Sequence, residues 1–199
     1  MPAGIDTGNG NDPDGIRPVV RRIVGPKDAA LEQAQAAGLQ VLVGRYRVDK
    51  YLGAQQPGSP DPSALYEVVE TAPNLFLTAG ITEVLRLATT TGTPTSFSAS
   101  NARLCVGDST TAAAAGQTDL QASTNRFRQL VDAAPSVSGN TVTFMATFAQ
   151  GVANFAWAEI GVANASSGGA MWSRTVPAGT LGTKTSAATW VLNWSLSIS

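Results

Sequence analysis

Thr189-Trp-Val-Leu-Asn-Trp-Ser-Leu-Ser-Ile198 decides the fold. Taken in twos, Trp190, Leu192, Trp194, Leu196 and Ile198 fall on one side, and Thr189, Val191, Asn193, Ser195 and Ser197 on the other. That is a strand with one face in a core and one toward solvent. Thr141-Val-Thr-Phe-Met-Ala-Thr-Phe148 repeats the pattern, with Val142, Phe144, Ala146 and Phe148 opposed to Thr141, Thr143, Met145 and Thr147. Between them, residues 153–162 and 170–176 read as two more strands, separated by the turn-rich Asn164-Ala-Ser-Ser-Gly-Gly169. All four tryptophans, Trp157, Trp172, Trp190 and Trp194, lie in this unit. Their alternation with small or polar residues predicts aromatic packing in a core or between subunits; stacking on a sugar is the alternative.

Upstream, Arg103-Leu-Cys-Val106 reads as a strand ending in a Gly-Asp turn, and residues 123–131 as an extended segment with Arg126 and Arg128 flanking Phe127. Residues 75–88 predict a helix N-capped by Asn74, with Leu77, Ile81, Val84, Leu85 and Ala88 as an apolar stripe against the sheet and Glu83 and Arg86 outward. Residues 39–52 and 65–69 have strand composition, with a bulge or bend expected at Gly44. A compact helix runs from Asp28, its N-cap, to Gly38. Residues 1–28, rich in Gly, Pro and Asp, form an extended arm that orders only by lying on a neighbour. Many short strands with one or two short helices make the chain mainly β: an antiparallel β-sandwich or open barrel with an extended N-terminal arm. Its parts are the arm (1–28), a helix-and-strand attachment region (29–72) and a β-rich module (73–199).

Composition narrows function. Charged residues make up 14% of the chain, against roughly 25% in an average domain, which suits a surface packed against neighbours. A net charge of −1, with Arg17, Arg21, Arg22 and Lys27 balanced by Asp12, Asp14, Asp28 and Glu32, argues against nucleic acid. No apolar run is long enough for a membrane span, and the first residues lack a secretory signal, so folding in a cytoplasm is expected. Cys105, the single cysteine, reads as a small buried hydrophobe.

Without histidine, the Ser-His-Asp and Cys-His constellations and histidine metal sites are excluded. Val106-Gly-Asp-Ser-Thr110 lacks the Gly-Lys ending of a phosphate loop. No cofactor is expected. A carboxylate pair is the remaining enzymatic option, drawn from Asp108, Asp119 and Glu159. Asp108 and Asp119 suit turns or caps. Glu159, placed by strand alternation on the same face as Trp157 and Gly161, needs a cationic partner, and Arg174 or Lys184 supplies a structural ion pair. The chain is read as a non-enzyme.

Asn74-Leu-Phe-Leu-Thr-Ala-Gly80, residues 102–120, Thr143-Phe-Met-Ala-Thr-Phe148, residues 154–162 and residues 184–194 together resemble structural proteins of tailed bacteriophages. That loosely bounded group includes capsid decoration (cement), minor tail and tail-fibre-associated proteins. The resemblance covers about residues 74–199 and implies a β-rich virion module without catalytic residues. A decoration protein is the expected function, on the outer surface of the head. Its partners would be the major capsid protein and copies of itself in a trimer, with Val19, Val20, Arg21, Arg22 and Ile23 as subunit or capsid contacts. A minor tail protein binding a host receptor or glycan is the alternative.

Overall fold

The computed structural model describes residues 19–24, 29–71, 73–179 and 181–198. The elements run β1 (Val20–Val24), α1 (Ala29–Ala36), β2 (Leu42–Leu52), a 3-10 turn (Pro62–Ala64), β3 (Leu65–Thr71), β4 (Leu75–Phe76), α2 (Thr78–Thr89), β5 (Arg103–Gly107), β6 (Arg126–Leu130), β7 (Ser136–Ser138), β8 (Thr141–Phe148), β9 (Glu159–Ala163), β10 (Met171–Thr175) and β11 (Ala188–Ile198). They form a six-stranded sheet, β1-β3-β2-β11-β8-β7, and a five-stranded sheet, β4-β10-β9-β5-β6. The two pack face to face as a sandwich whose pairings are antiparallel except β1 with β3.

β11 is the centre of the larger sheet, bonded along its whole length to β2 and on its other side to β8. Its even-numbered residues from Ala188 to Leu196 enter the shared core with Phe144, Ala146 and Phe148 of β8, Tyr46 and Val48 of β2, and Leu104, Val106, Ile160 and Val162 of the smaller sheet, whereas Ile198, expected on the same side, is 48% exposed. The rings meet in two clusters: Trp172 to Trp194 at 5.1 Å and Trp194 to Phe144 at 5.2 Å in one, and Trp157 to Trp190 at 4.8 Å and Phe148 to Trp157 at 4.7 Å in the other. Burying each such side chain removes a large apolar area from water, worth about 3 kcal/mol per ring.

Several expectations change. Residues 20–24 of the expected arm lie on their own chain, as a parallel edge strand beside β3, with Arg22 Nε 2.6 Å from Glu67 Oε1. Arg21 and Val20 stay exposed on that strand. Residues 1–18 and 25–28, including Asp12, Asp14, Arg17, Lys27 and Asp28, lie outside the described residues.

Asn74 does not cap α2, which starts at Thr78 behind Leu77. Leu75 and Phe76 instead pair with Arg174 and Ser173. The Asn74 side chain is buried, and a Cβ on Gly44 would lie 2.2 Å from its Oδ1. Gly44 therefore makes room for an amide, and β2 passes it in unbroken register with β11. Asn74 Oδ1 accepts from Trp194 Nε1 at 3.4 Å, while Nδ2 has no hydrogen-bond partner.

The orientation of α2 also differs. Gly80 meets the Trp172 backbone so closely that a Cβ there would lie 2.1 Å from Trp172 Cα. That approach turns Gly80, Val84 and Leu87 inward and leaves Ile81 and Leu85 42% and 60% exposed. Glu83, expected outside, accepts hydrogen bonds from the Thr95 amide and Asn164 Nδ2. Backbone contact at a glycine, rather than apolar content, fixed the helix rotation.

Candidate functional site

The smaller sheet is covered on both faces. Its inner face joins the main core; its outer face packs Cys105, Ala163 and Met171 against Leu77 and Leu120. Across that outer face two long charged side chains lie between glycines. Gly107 on β5 is opposite Glu159 on β9, and Gly161 on β9 is opposite Arg174 on β10. A Cβ on Gly107 would come within 2.3 Å of Glu159 Oε1. The absent side chain is the space in which the carboxylate lies.

Glu159 and Arg174 side chains are fully buried and paired at 2.7 Å. Glu159 Oε1 accepts from the Ala122 amide at 2.7 Å, and Oε2 from the Gln121 amide at 2.9 Å as well as from Arg174 Nε. Arg174 then donates from Nη1 to Gln117 Oε1 at 2.9 Å and from Nη2 to the Thr111 carbonyl at 2.8 Å. The pair thus fastens the segment 108–125 over the sheet. Arg128 adds a second fastening, reaching Asp119 Oδ1 at 2.7 Å and the Ala165 and Gly168 carbonyls at 2.8 Å each. A buried ion pair is tolerated when its remaining polar atoms find partners, and here the strap supplies them.

Lys184 is not part of this pair. Its ammonium donates to the Ala149 carbonyl at 2.7 Å and Asn154 Oδ1 at 3.0 Å, tying two loops together, and burial pushes its pKa down to about 8. Trp157 does not share the face of Glu159: it precedes β9 and turns into the main core, with Nε1 donating to the Ala153 carbonyl at 3.0 Å. Trp190 and Trp194 are enclosed there too, and Trp172 packs against Phe97, Phe144 and Trp194. No aromatic face of the four is presented as an open platform.

The other two carboxylates are also engaged. Asp108 accepts from Asn125 Nδ2 at 2.8 Å, and Asp119 pairs with Arg126 and Arg128. The Cys105 thiol, buried, has its pKa pushed up to about 12 by desolvation, so it stays protonated and unreactive. Among the described residues no group of histidine, cysteine and carboxylate side chains could hold a metal, and no helix is long and apolar enough to cross a membrane.

The outward face of the larger sheet is treated differently. At one end Tyr51, Val68, Thr189 and Val191 are buried, although β alternation points them away from the core. The segment 53–64 runs over them, bonded through Gly53 to Ala187 and Thr189 and through Gly58 to Asp132. At the other end the face is open, in a trough of about 410 Å³ lined by Arg45, Arg47, Asp49, Glu70, Asn193 and Ser195, with Thr143 at its side.

Nothing in the order of residues marks Gln117 or Thr111 as partners of Arg174, because the contacts span about sixty positions of sequence. Gly107 beside a strand that carries a lone glutamate was the one readable signal. Compared with known protein families, with curated proteins and with solved structures, the chain matches none.

Proposed function

We propose that the chain is a structural virion protein of a tailed bacteriophage, a capsid decoration protein that binds the outer surface of the head and stabilises it through subunit contacts. The resemblance of residues 74–199 to phage virion proteins is the reason for the virion assignment. One structural observation supports action through surfaces: α2 carries Ile81 and Leu85 one turn apart, both exposed, on a chain with only 14% charged residues. An uncharged apolar stripe of this kind suits contact with another protein surface. The groups that first suggested chemistry are meanwhile committed inside, Glu159 to Arg174 and the strap amides, and the tryptophans to the core.

In this reading the chain acts without catalysis or cofactor, its partners are the major capsid protein and further copies of itself in a trimer, and it resides on the virion. Native mass spectrometry of the purified protein, with co-sedimentation on head particles, tests it. A trimer that pellets with heads is the expected result. A monodisperse monomer that stays in the supernatant overturns the proposal.

A further inference from the structure

β6 is the last strand of the smaller sheet, bonded to β5 on one side and, among the described residues, to no strand on the other. Just past its two ends the ladder closes with the Val131 amide on the Ala102 carbonyl and the Asp108 amide on the Asn125 carbonyl. Antiparallel bonding alternates, so the odd-numbered residues of β6 face β5 and the even-numbered ones turn their backbone groups to the free side. There the Arg126 amide is taken by the Thr124 carbonyl. The Arg126 carbonyl, and the N–H and C=O of Arg128 and Leu130, have no hydrogen-bond partner among the described residues. Other outermost strands offer less: β4 is two residues long, and β7 is three with Pro135 just before it. β6 has five residues and an open antiparallel edge.

The side chains along this edge determine what fits it. Arg126 and Arg128 lie on the outward face, where with Asp119, Ser166 and Ser167 they line a pocket of about 400 Å³. Arg103 of β5 is on the same face. Arg128 is 9% exposed and already donates to Asp119 and to the Ala165 and Gly168 carbonyls. Arg126 is 50% exposed and reaches Asp119 only at 3.4 Å, and the exposed Ser166 and Ser167 hydroxyls have no partner among the described residues. The nearby carboxylates are engaged: Asp119 by both arginines and the Leu120 amide, Asp108 by Asn125, and Asp132 by Thr147 and the Gly58 amide. The charge left open on this edge is therefore positive. On the inward side, Phe127 is 39% exposed at the margin of the sandwich, edge-on to Phe148. A strand laid on β6 alternates in the same way, with every second side chain over Arg126 and the serines and the others beside Phe127.

We propose that the free edge of β6 accepts an extended peptide strand in which acidic and apolar residues alternate, the acidic ones facing Arg126 and the apolar ones Phe127. Main-chain bonds to Arg128 and Leu130 supply affinity, and the pocket beside Arg126 supplies selectivity. This edge lies across the smaller sheet from β4, the strand that leads into α2, and its use is independent of where on a virion the chain sits.

Calorimetry and residue-resolved amide hydrogen exchange on the full chain test it, with a short blocked peptide of alternating glutamate and valine as the probe. The controls are alternating lysine and valine, the same glutamates and valines in two blocks, and two N-methylated forms of the probe, one methylated at the glutamate amides and one at the valine amides. The probe is expected to bind and to slow exchange at the Arg128 and Leu130 amides. One N-methylated form should lose binding while the other keeps it, because only one set of peptide amides faces β6; antiparallel pairing selects the glutamate set. Arg126→Glu, at an exposed position, should weaken binding by about tenfold. Near-UV circular dichroism of the buried tryptophans verifies that this variant is folded. The proposal is overturned if exchange at Arg128 and Leu130 is unchanged by the probe, if the lysine or block peptide binds as tightly, if both methylated forms bind as the probe does, or if the folded variant binds as the parent does.

Discussion

On the outward face of the five-stranded sheet, Glu159 and Arg174 lie fully buried beneath the segment 108–125, with every contact fixed by a named partner. On the outward face of the six-stranded sheet, Arg45 and Glu70 stand exposed beside a trough, with no hydrogen-bond or ion-pair partner among the described residues. Both faces arise from the same period-two alternation, which by itself assigns outward residues to water. What separates them is coverage. A strap converts the first pair of charges into part of the core, whereas the second set keeps its hydrogen-bonding capacity. A charged residue on a strand therefore carries no role until the layer above it is known.

The comparison can be broken most easily at the covered face. Arg174→Ala leaves Glu159 buried with its countercharge gone, and a loss of about 3–5 kcal/mol is expected, read from the urea unfolding midpoint. Replacing both partners, Glu159→Leu with Arg174→Met, should recover much of that loss, because no uncompensated charge is then left inside. A single Arg174 variant as stable as the parent would mean that the clamp is dispensable. Gly107→Ala tests the same site without touching a charge. The added methyl collides with Glu159 Oε1, so a cost of about 1–3 kcal/mol is expected, with faster amide hydrogen exchange at Gln121 and Ala122.

Lys184 sharpens the contrast by pH. Its pKa in the folded chain, about 8, lies below its ordinary value of 10.5, so the unfolded chain holds the proton more tightly across that window. Its contribution to stability therefore rises as pH increases from about 8 toward 10.5 and is lowest below that range. Denaturation series across this window should show a shallower rise for Lys184→Met than for the parent; parallel curves would contradict the assignment. The smallest effect belongs to the open face. Arg45→Ala and Glu70→Ala should each shift stability by no more than about 0.5 kcal/mol, since neither side chain has a partner to lose among the described residues. A shift several times larger would show that this face is not open.

The strands β8 and β11 were legible because each alternates over its full length and each carries its aromatics on one side. Segments whose geometry is set by distant contacts were not. Trp157 sits where a strand was expected, yet it reaches the core from a loop, and β9 begins only at Glu159. The α2 stripe was read correctly at Leu77 and Val84 and wrongly at Ile81, Leu85 and Ala88, because Gly80 rests on the Trp172 backbone. Asn74 looked like a cap, and its side chain instead fills the space left by Gly44, with Oδ1 accepting from Trp194 Nε1. Residues 20–24 were expected to need a neighbour; a parallel partner more than forty positions away in the same chain gives them one. At the site, the Glu159–Arg174 pairing follows from two adjacent strands, while the strap that completes it is long-range and leaves no periodic trace.

That the chain works through its outer surfaces, on a phage head, is tested most directly by reconstructing virions with and without it. Added density of about 20 kDa per copy on the outside of the head, arranged about local threefold positions, is the expected result. Density confined to the tail, or heads indistinguishable in the two preparations, would contradict it.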